Sequence, residues 1–239
     1  MKRIGGIVVF LFVVSMIRSQ TLDFRPEWAF GVNAGVNLSR VAFIPRIPQV
    51  LLVQENGGFT ARYISEKNCG ILVELNYSLR GWKERQDTIM NFNHYSRSLS
   101  YLELPVLTHF YFDLGKGARI VLNIGSQIGY NVGEKVLEKE IVPSPYDGES
   151  YIPRYYDEDY RVQHKFDYGI AGGLGLEVRT GIGHFILEGR YYYGLSDVFN
   201  NTRADVFLNS HNQVITIKLS YLMKRQSGTK HTPFPLNNE

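Results

Sequence analysis

The chain of 239 residues reads as all-β, an eight-stranded antiparallel up-and-down transmembrane β-barrel, and three observations predict it. The first is a hairpin pattern over residues 165–195. Before a glycine turn at Gly181 to Gly183, Phe166, Tyr168, Ile170, Leu174, Leu176 and Val178 share one face. Lys165, Asp167, Gly169, Ala171, Gly173, Gly175, Glu177 and Arg179 share the other. After the turn, Phe185, Leu187, Tyr191, Tyr193 and Leu195 alternate with Ile186, Glu188, Arg190 and Tyr192. Alternation with period 2 marks a strand. One apolar face against a face of glycine and paired charge suits a wall whose outside meets lipid. The second observation is an export signal over 1–19, where Lys2 and Arg3 precede an apolar run, with small residues near Ser19. That run is too short and wrongly flanked for a spanning helix. The third is the connections, which alternate long and short along the whole chain, as in outer-membrane barrels.

Taken in order, the first strand covers 28–38, where Phe30, Val32, Ala34, Val36 and Leu38 alternate with Gly31, Asn33, Gly35, Asn37 and Ser39. Pro45 and Pro48 mark the connection to a second strand, 58–65, which sets Thr60 and Arg62 opposite Phe59, Ala61 and Tyr63. Three residues later the third strand, 69–81, puts Ile71, Val73, Leu75, Tyr77 and Leu79 outward against Glu74, Asn76, Ser78 and Arg80. A polar connection follows over 82–98. The fourth strand, 99–112, carries Leu102, Leu104, Val106, Phe110 and Phe112 on one face and Glu103 and His109 on the other. Pro105 cannot donate to a ladder, so a bulge or kink is expected there. The turn Asp113 to Gly117 leads to the fifth strand, 118–130, with Asn123 and Gln127 inward. The longest connection, 131–164, precedes the hairpin already described, which supplies strands six and seven. The eighth, 213–223, alternates Ile215, Ile217, Leu219 and Tyr221 with Thr216, Lys218 and Ser220. The barrel thus occupies 20–223, and a polar tail over 224–239 is expected to be disordered in the periplasm. Strand-end aromatics (Trp28, Trp82, Phe112, Tyr130, Tyr168, Tyr193, Tyr221) are placed in interfacial girdles.

Charge excludes more than it includes. Lys2, Arg3 and Arg18 account for the net charge of +3, and without the leader 23 bases face 23 acids, so nucleic acid is not an expected partner. Cys69, with no second cysteine, forms no internal disulfide and is expected to be buried and inert. The inward faces gather Arg62, Glu74, Arg80, Glu103, Glu177, Arg179, Glu188, Arg190 and Lys218. An eight-stranded barrel has an interior that side chains fill, and unpaired charge there is costly, so these residues are expected to pair into a network plugging the lumen. His94, His109, His164, His184, His211 and His231 show no metal-ligand spacing, and His109 is expected to join the network. No catalytic residue, metal or cofactor is expected. The glycines at 169, 172, 173 and 175 are followed by strand alternation, not by a helix, so they are assigned to relief of crowding. In the long connection, Tyr151, Tyr155, Tyr156, Asp157, Glu158, Asp159 and Tyr160 are expected to offer contact faces to a partner outside the cell.

Three segments carry a family resemblance: Y-L-E-L-P-V-L from Tyr101, F-D-Y-G-I-A-G-G-L-G-L-E from Phe166, and G-R-Y-Y-Y-G-L from Gly189. The chain resembles the PorT-like outer-membrane β-barrel family of Gram-negative bacteria of the Bacteroidota type. The resemblance implies the barrel and an outer-membrane location. It also implies partners among outer-membrane lipid and the envelope or secretion machinery, since some members are implicated in protein secretion. Such barrels usually end on an aromatic assembly signal, whereas here Tyr221 is followed by Leu222, Met223 and the tail, so the signal is internal. The expected function is a non-enzymatic structural or interaction role with a filled lumen. The alternatives are a narrow porin for small solutes and a hydrolase built into the barrel from groups such as Ser210, Asp205 and His211.

Overall fold

Strands with one apolar and one polar face can enter lipid only if no backbone edge is left open. The computed structural model describes residues 26–85, 93–142, 152–157, 159–202 and 205–225 and meets that condition. Its strands are β1 (Glu27–Ile44), β2 (Gln49–Val50), β3 (Leu52–Glu66), β4 (Cys69–Glu84), β5 (His94–Gly115), β6 (Ala118–Glu140), β7 (Phe166–Arg179), β8 (His184–Asp197) and β9 (Asn209–Arg225). Each long strand pairs antiparallel with its neighbours in sequence, and β1 closes the ring against β9 from Trp28↔Arg225 to Ile44↔Asn209. The eight long strands are therefore an up-and-down barrel, and β2 is a two-residue addition against the end of β4. The expected leader lies outside the described residues. So does the tail beyond Arg225, where β9 ends two residues later than expected.

The two faces separate as the alternation requires. Phe59 (68% exposed) and Leu174 (61%) typify the outward positions, which present a nearly unbroken apolar band. Aromatics crowd both ends of it. At the end with the short turns, Trp28 packs on Tyr63 with ring centroids 4.5 Å apart, and Phe185 on Tyr221 at 5.0 Å. At the loop end, Tyr77, Tyr130, Phe166, Tyr168 and Tyr193 point outward. Trp82 is a correction: it is wholly buried inside, not in a girdle. It pairs with Arg97 two positions beyond the Arg80↔Leu99 pair, so it keeps the inward parity of Arg80.

The turns at one end are tight for identifiable reasons. Between β5 and β6, Gly115, Lys116 and Gly117 all take positive φ (84°, 51° and 84°), and glycine at two of the three keeps that conformation unstrained. Asn68 turns β3 into β4 with φ 70°, a value asparagine tolerates. Cys69, next to that turn, is half-buried rather than enclosed, because the first residue of β4 lies at the barrel rim.

Pro105 causes no bulge. The ladder from β5 to β4 skips Leu104 and Pro105 but resumes in the same register, from Val73↔Val106 to Asn76↔Glu103. Facing is preserved, and the β5–β6 irregularities fall instead at Ser96/Arg97, Ser100/Tyr101 and Asp113/Gly115. The longest connection is also shorter than the sequence implies. β6 continues to Glu140, leaving 141–165 between it and β7. Beyond the lipid band a strand needs no apolar outer face, so this polar stretch shows no membrane-type alternation.

Candidate functional site

Inward parity brings the predicted charges together in three layers. Nearest the short turns, Glu177 of β7 is ion-paired with Arg62, whose Nη1 stands 3.0 Å away, and touches His184 Nδ1. Arg119 Nη1 stands 3.9 Å from the same carboxylate, and its guanidinium lies over the Tyr111 ring at 4.2 Å. Glu27 Oε1 is 3.7 Å from both Arg62 and His184. Apolar side chains (Ala29, Ile64, Tyr111, Val121, Ile186, Leu222) pack around the layer.

The middle layer is Glu74, Glu188, Arg190 and Lys218, two acids against two bases. Arg190 donates to both Glu74 oxygens at 2.8 and 3.1 Å and, through Nε, to Glu188 at 2.9 Å. Lys218 Nζ contacts Glu74 and stands 3.7 Å from Glu188. Asn76 donates to Glu74 at 2.9 Å and accepts from Asn33 at 2.9 Å. Gly173 faces this layer, and a Cβ there would collide with Glu188 Oε1 and the Arg190 side chain. The third layer is centred on Arg80. It donates to Asp167 at 2.6 Å, approaches Glu103 at 3.4 Å, and stacks 3.6 Å above the Tyr101 ring. Tyr192 adds a hydroxyl to Asp167 at 2.8 Å. A gap of about 20 Å³ separates the middle and upper layers, room for roughly one water.

Two predicted network members, Arg179 and His109, stand outside the layers. Arg179 sits at the last position of β7 with its side chain 38% exposed, paired with Asp113 at 3.2 Å on the rim. His109 is buried and bonds Asn123 at 2.7 Å, away from the acid–base clusters. Asp167, Glu27, Arg119 and His184 were not singled out, although each has inward parity: Asp167 with Glu177, Glu27 with Asn33, Arg119 with Asn123, and His184 with Glu188. Asp167 already stands on the inward face of the hairpin pattern, and extending each period to the strand ends finds the other three.

Above the third layer the mouth is closed. The returning segment 152–165, here called the strap, lays Tyr155, Tyr156, Tyr160 and Val162 onto Phe43, Trp82, Tyr95, Val198, Phe199 and Phe207. Tyr156 is 0% exposed, stacks on Tyr95 at 4.1 Å and donates to Glu84 at 2.6 Å. This corrects the expectation that these tyrosines face a partner: an aromatic ring gains more by covering an apolar mouth than by standing in water. Asp157 and Asp159 remain exposed, while Tyr151 and Glu158 lie outside the described residues.

The groups weighed for hydrolysis do not converge. Ser210 Oγ is buried and accepts from the Val198 and Phe199 amides at 3.0 and 2.9 Å, and His211 Nδ1 bonds the Ser196 carbonyl at 3.0 Å. Among the described residues, no three His, Cys, Asp or Glu side chains are placed to hold a metal ion.

The sequence pattern of the outer membrane protein beta-barrel domain family matches residues 18–200. The chain belongs to that family. No curated protein is significantly similar to it. Among solved structures, this family member is similar to Ail, the attachment invasion locus protein of Yersinia pestis, at 12% identity and a TM-score of 0.37, covering 82% of this chain and 99% of that one. It is also similar to Neisserial surface protein A (10%, TM-score 0.43, covering 83% and 99%). A third is OprG from Pseudomonas aeruginosa (12%, TM-score 0.44, covering 82% and 95%). Such distant likenesses concern the shape of the wall and carry nothing about ligands. The family places this barrel in the outer membrane.

Proposed function

We propose that the protein is a closed, non-enzymatic barrel that acts as an anchored interaction module of the envelope. One observation supports this above the others: three layers of paired charge, packed with apolar and amide side chains, occupy the lumen beneath the aromatic strap. A solute path would require three ion-pair layers to part, and separating a buried pair is costly. In this reading residues 1–19 are removed on export, and the termini and tight turns face the periplasm. The other end carries the contacts.

The surface offered there is the paired extension of β5 and β6, not the strap. The two strands rise past Tyr130 to their open ends at His94 and Glu140, leaving Leu137 exposed near the top. The secretion role implied by the PorT-like resemblance would use such a surface to meet other envelope proteins. A photo-crosslinker at Leu137, set against one at lipid-facing Leu174, tests this in intact cells. Discrete protein adducts from position 137 alone support the proposal; identical patterns from both positions contradict it.

A further inference from the structure

Just above the lipid band the wall opens between β6 and the segment that leads into β7. β6 pairs with β7 only as far as Tyr130↔Phe166, with one more bond from the Asn131 amide to the Lys165 carbonyl at 2.7 Å. Above that point β6 diverges from the strap, and a half-open cavity of about 550 Å³ lies between them. Arg97, Glu134, Arg161 and Lys165 supply its charges, three cations against one acid.

Two of these cations have no partner among the described residues. The Arg161 and Lys165 side chains are exposed and have no acceptor among the described residues. Arg97 is only 2% exposed. Its Nη1 donates to the Tyr160 carbonyl at 2.6 Å, but its Nε has no hydrogen-bond acceptor, and the nearest anion, Glu134 Oε2, stands 3.6 Å away. Glu134 is engaged elsewhere, accepting the Val162 amide at 3.3 and 3.4 Å. The long Arg97–Glu134 pair is the cluster's one ion pair among the described residues, so a buried guanidinium Nε without a hydrogen bond stands beside two cations with no acceptor among those residues, and the cluster is short of anions.

Position selects the anion. Lys165 directly precedes Phe166, and Phe166 and Tyr130 form the aromatic belt at the loop end. The cavity therefore lies at the height where aromatic belts meet lipid headgroups. Its volume exceeds what a bare phosphate needs and accommodates a sugar-sized group. We propose that this cleft binds the phosphorylated headgroup of a membrane lipid at the loop end. Arg161 and Lys165 would meet the phosphate, and Arg97 would complete its coordination from inside.

The test uses the full barrel in nanodiscs. A bis-phosphorylated lipid A is compared with its dephosphorylated form and with soluble glucosamine 1-phosphate. Native mass spectrometry after gentle release counts retained lipid, and calorimetry measures the soluble ligand. R161A/K165A is the test variant and K67A/K116A, at the opposite rim, the control with equal charge loss. Retention of the phosphorylated lipid at least tenfold above its dephosphorylated form, lost in R161A/K165A and kept in K67A/K116A, is the expected result. Equal retention of both lipids, or equal loss in both variants, overturns the site. Binding of glucosamine 1-phosphate as tight as that of the lipid overturns the lipid assignment.

Discussion

A glutamate facing the inside of a small barrel has to find cations, and Glu74 finds Arg190 and Lys218. Removing one partner of a buried pair costs about 3–5 kcal/mol, whereas removing both ends together is far better tolerated. Glu74→Gln should therefore lower unfolding stability by about that amount. The double change Glu188→Gln/Lys218→Met should cost less, because the bidentate Arg190–Glu74 contact survives it. Urea titration of the barrel folded into vesicles measures both. On the outer face the relevant quantity is depth. Ile124, midway along the β6–β7 ladder, faces lipid, so Ile124→Arg should cost about 2–4 kcal/mol. Leu176, two positions from the rim pair, should cost only about 0–1 kcal/mol as arginine. The same titration reads both, and equal costs would show that the band is centred elsewhere. The inward charges were legible at this scale because parity alone assigns them. Arg179 was misplaced because parity says nothing about where a strand meets the rim.

At the scale of elements, the strap is held by aromatic burial and should respond to pH. Burial, more than Asp205, pushes the Tyr160 hydroxyl above the ordinary tyrosine value. Tyr95, beyond the lipid band at the base of the same cluster, is pushed up to about 12, again chiefly by burial. A raised folded pKa means that the closed strap favours neutral tyrosine. Its contribution is complete below the ordinary value of about 10 and is lost as pH rises through about 12. Subtilisin cleavage within the strap should accelerate across that window while the barrel stays intact on unheated gels. Tyr156→Ala should allow the same cleavage at neutral pH, since it removes both the stack on Tyr95 and the bond to Glu84. The strands within lipid were legible from their period. The extensions His94–Ser98 and 131–140 were not, because outside lipid neither face must be apolar. Nor could the sequence show that the strap tyrosines fold inward: that depends on Phe43, Trp82 and Phe207, which come from three distant parts of the chain.

For the whole molecule, closure and filling make separate claims. Closure follows from the β1–β9 pairing and accounts for the eight strands needing no covered edge. Filling is the central functional claim, and it joins the residue scale to the molecule: three layers of paired charge, with a water-sized gap between two of them, lie beneath the strap. The sequence indicated the charges but not their stacking into separate layers, because stacking depends on strand register. Single-channel recording of purified protein in a planar bilayer tests the claim most directly. The wild type should show no sustained current at any moderate voltage, with or without Tyr156→Ala, because the ion-pair layers close the lumen beneath the strap. A stable ohmic conductance from the intact wild-type barrel would contradict it.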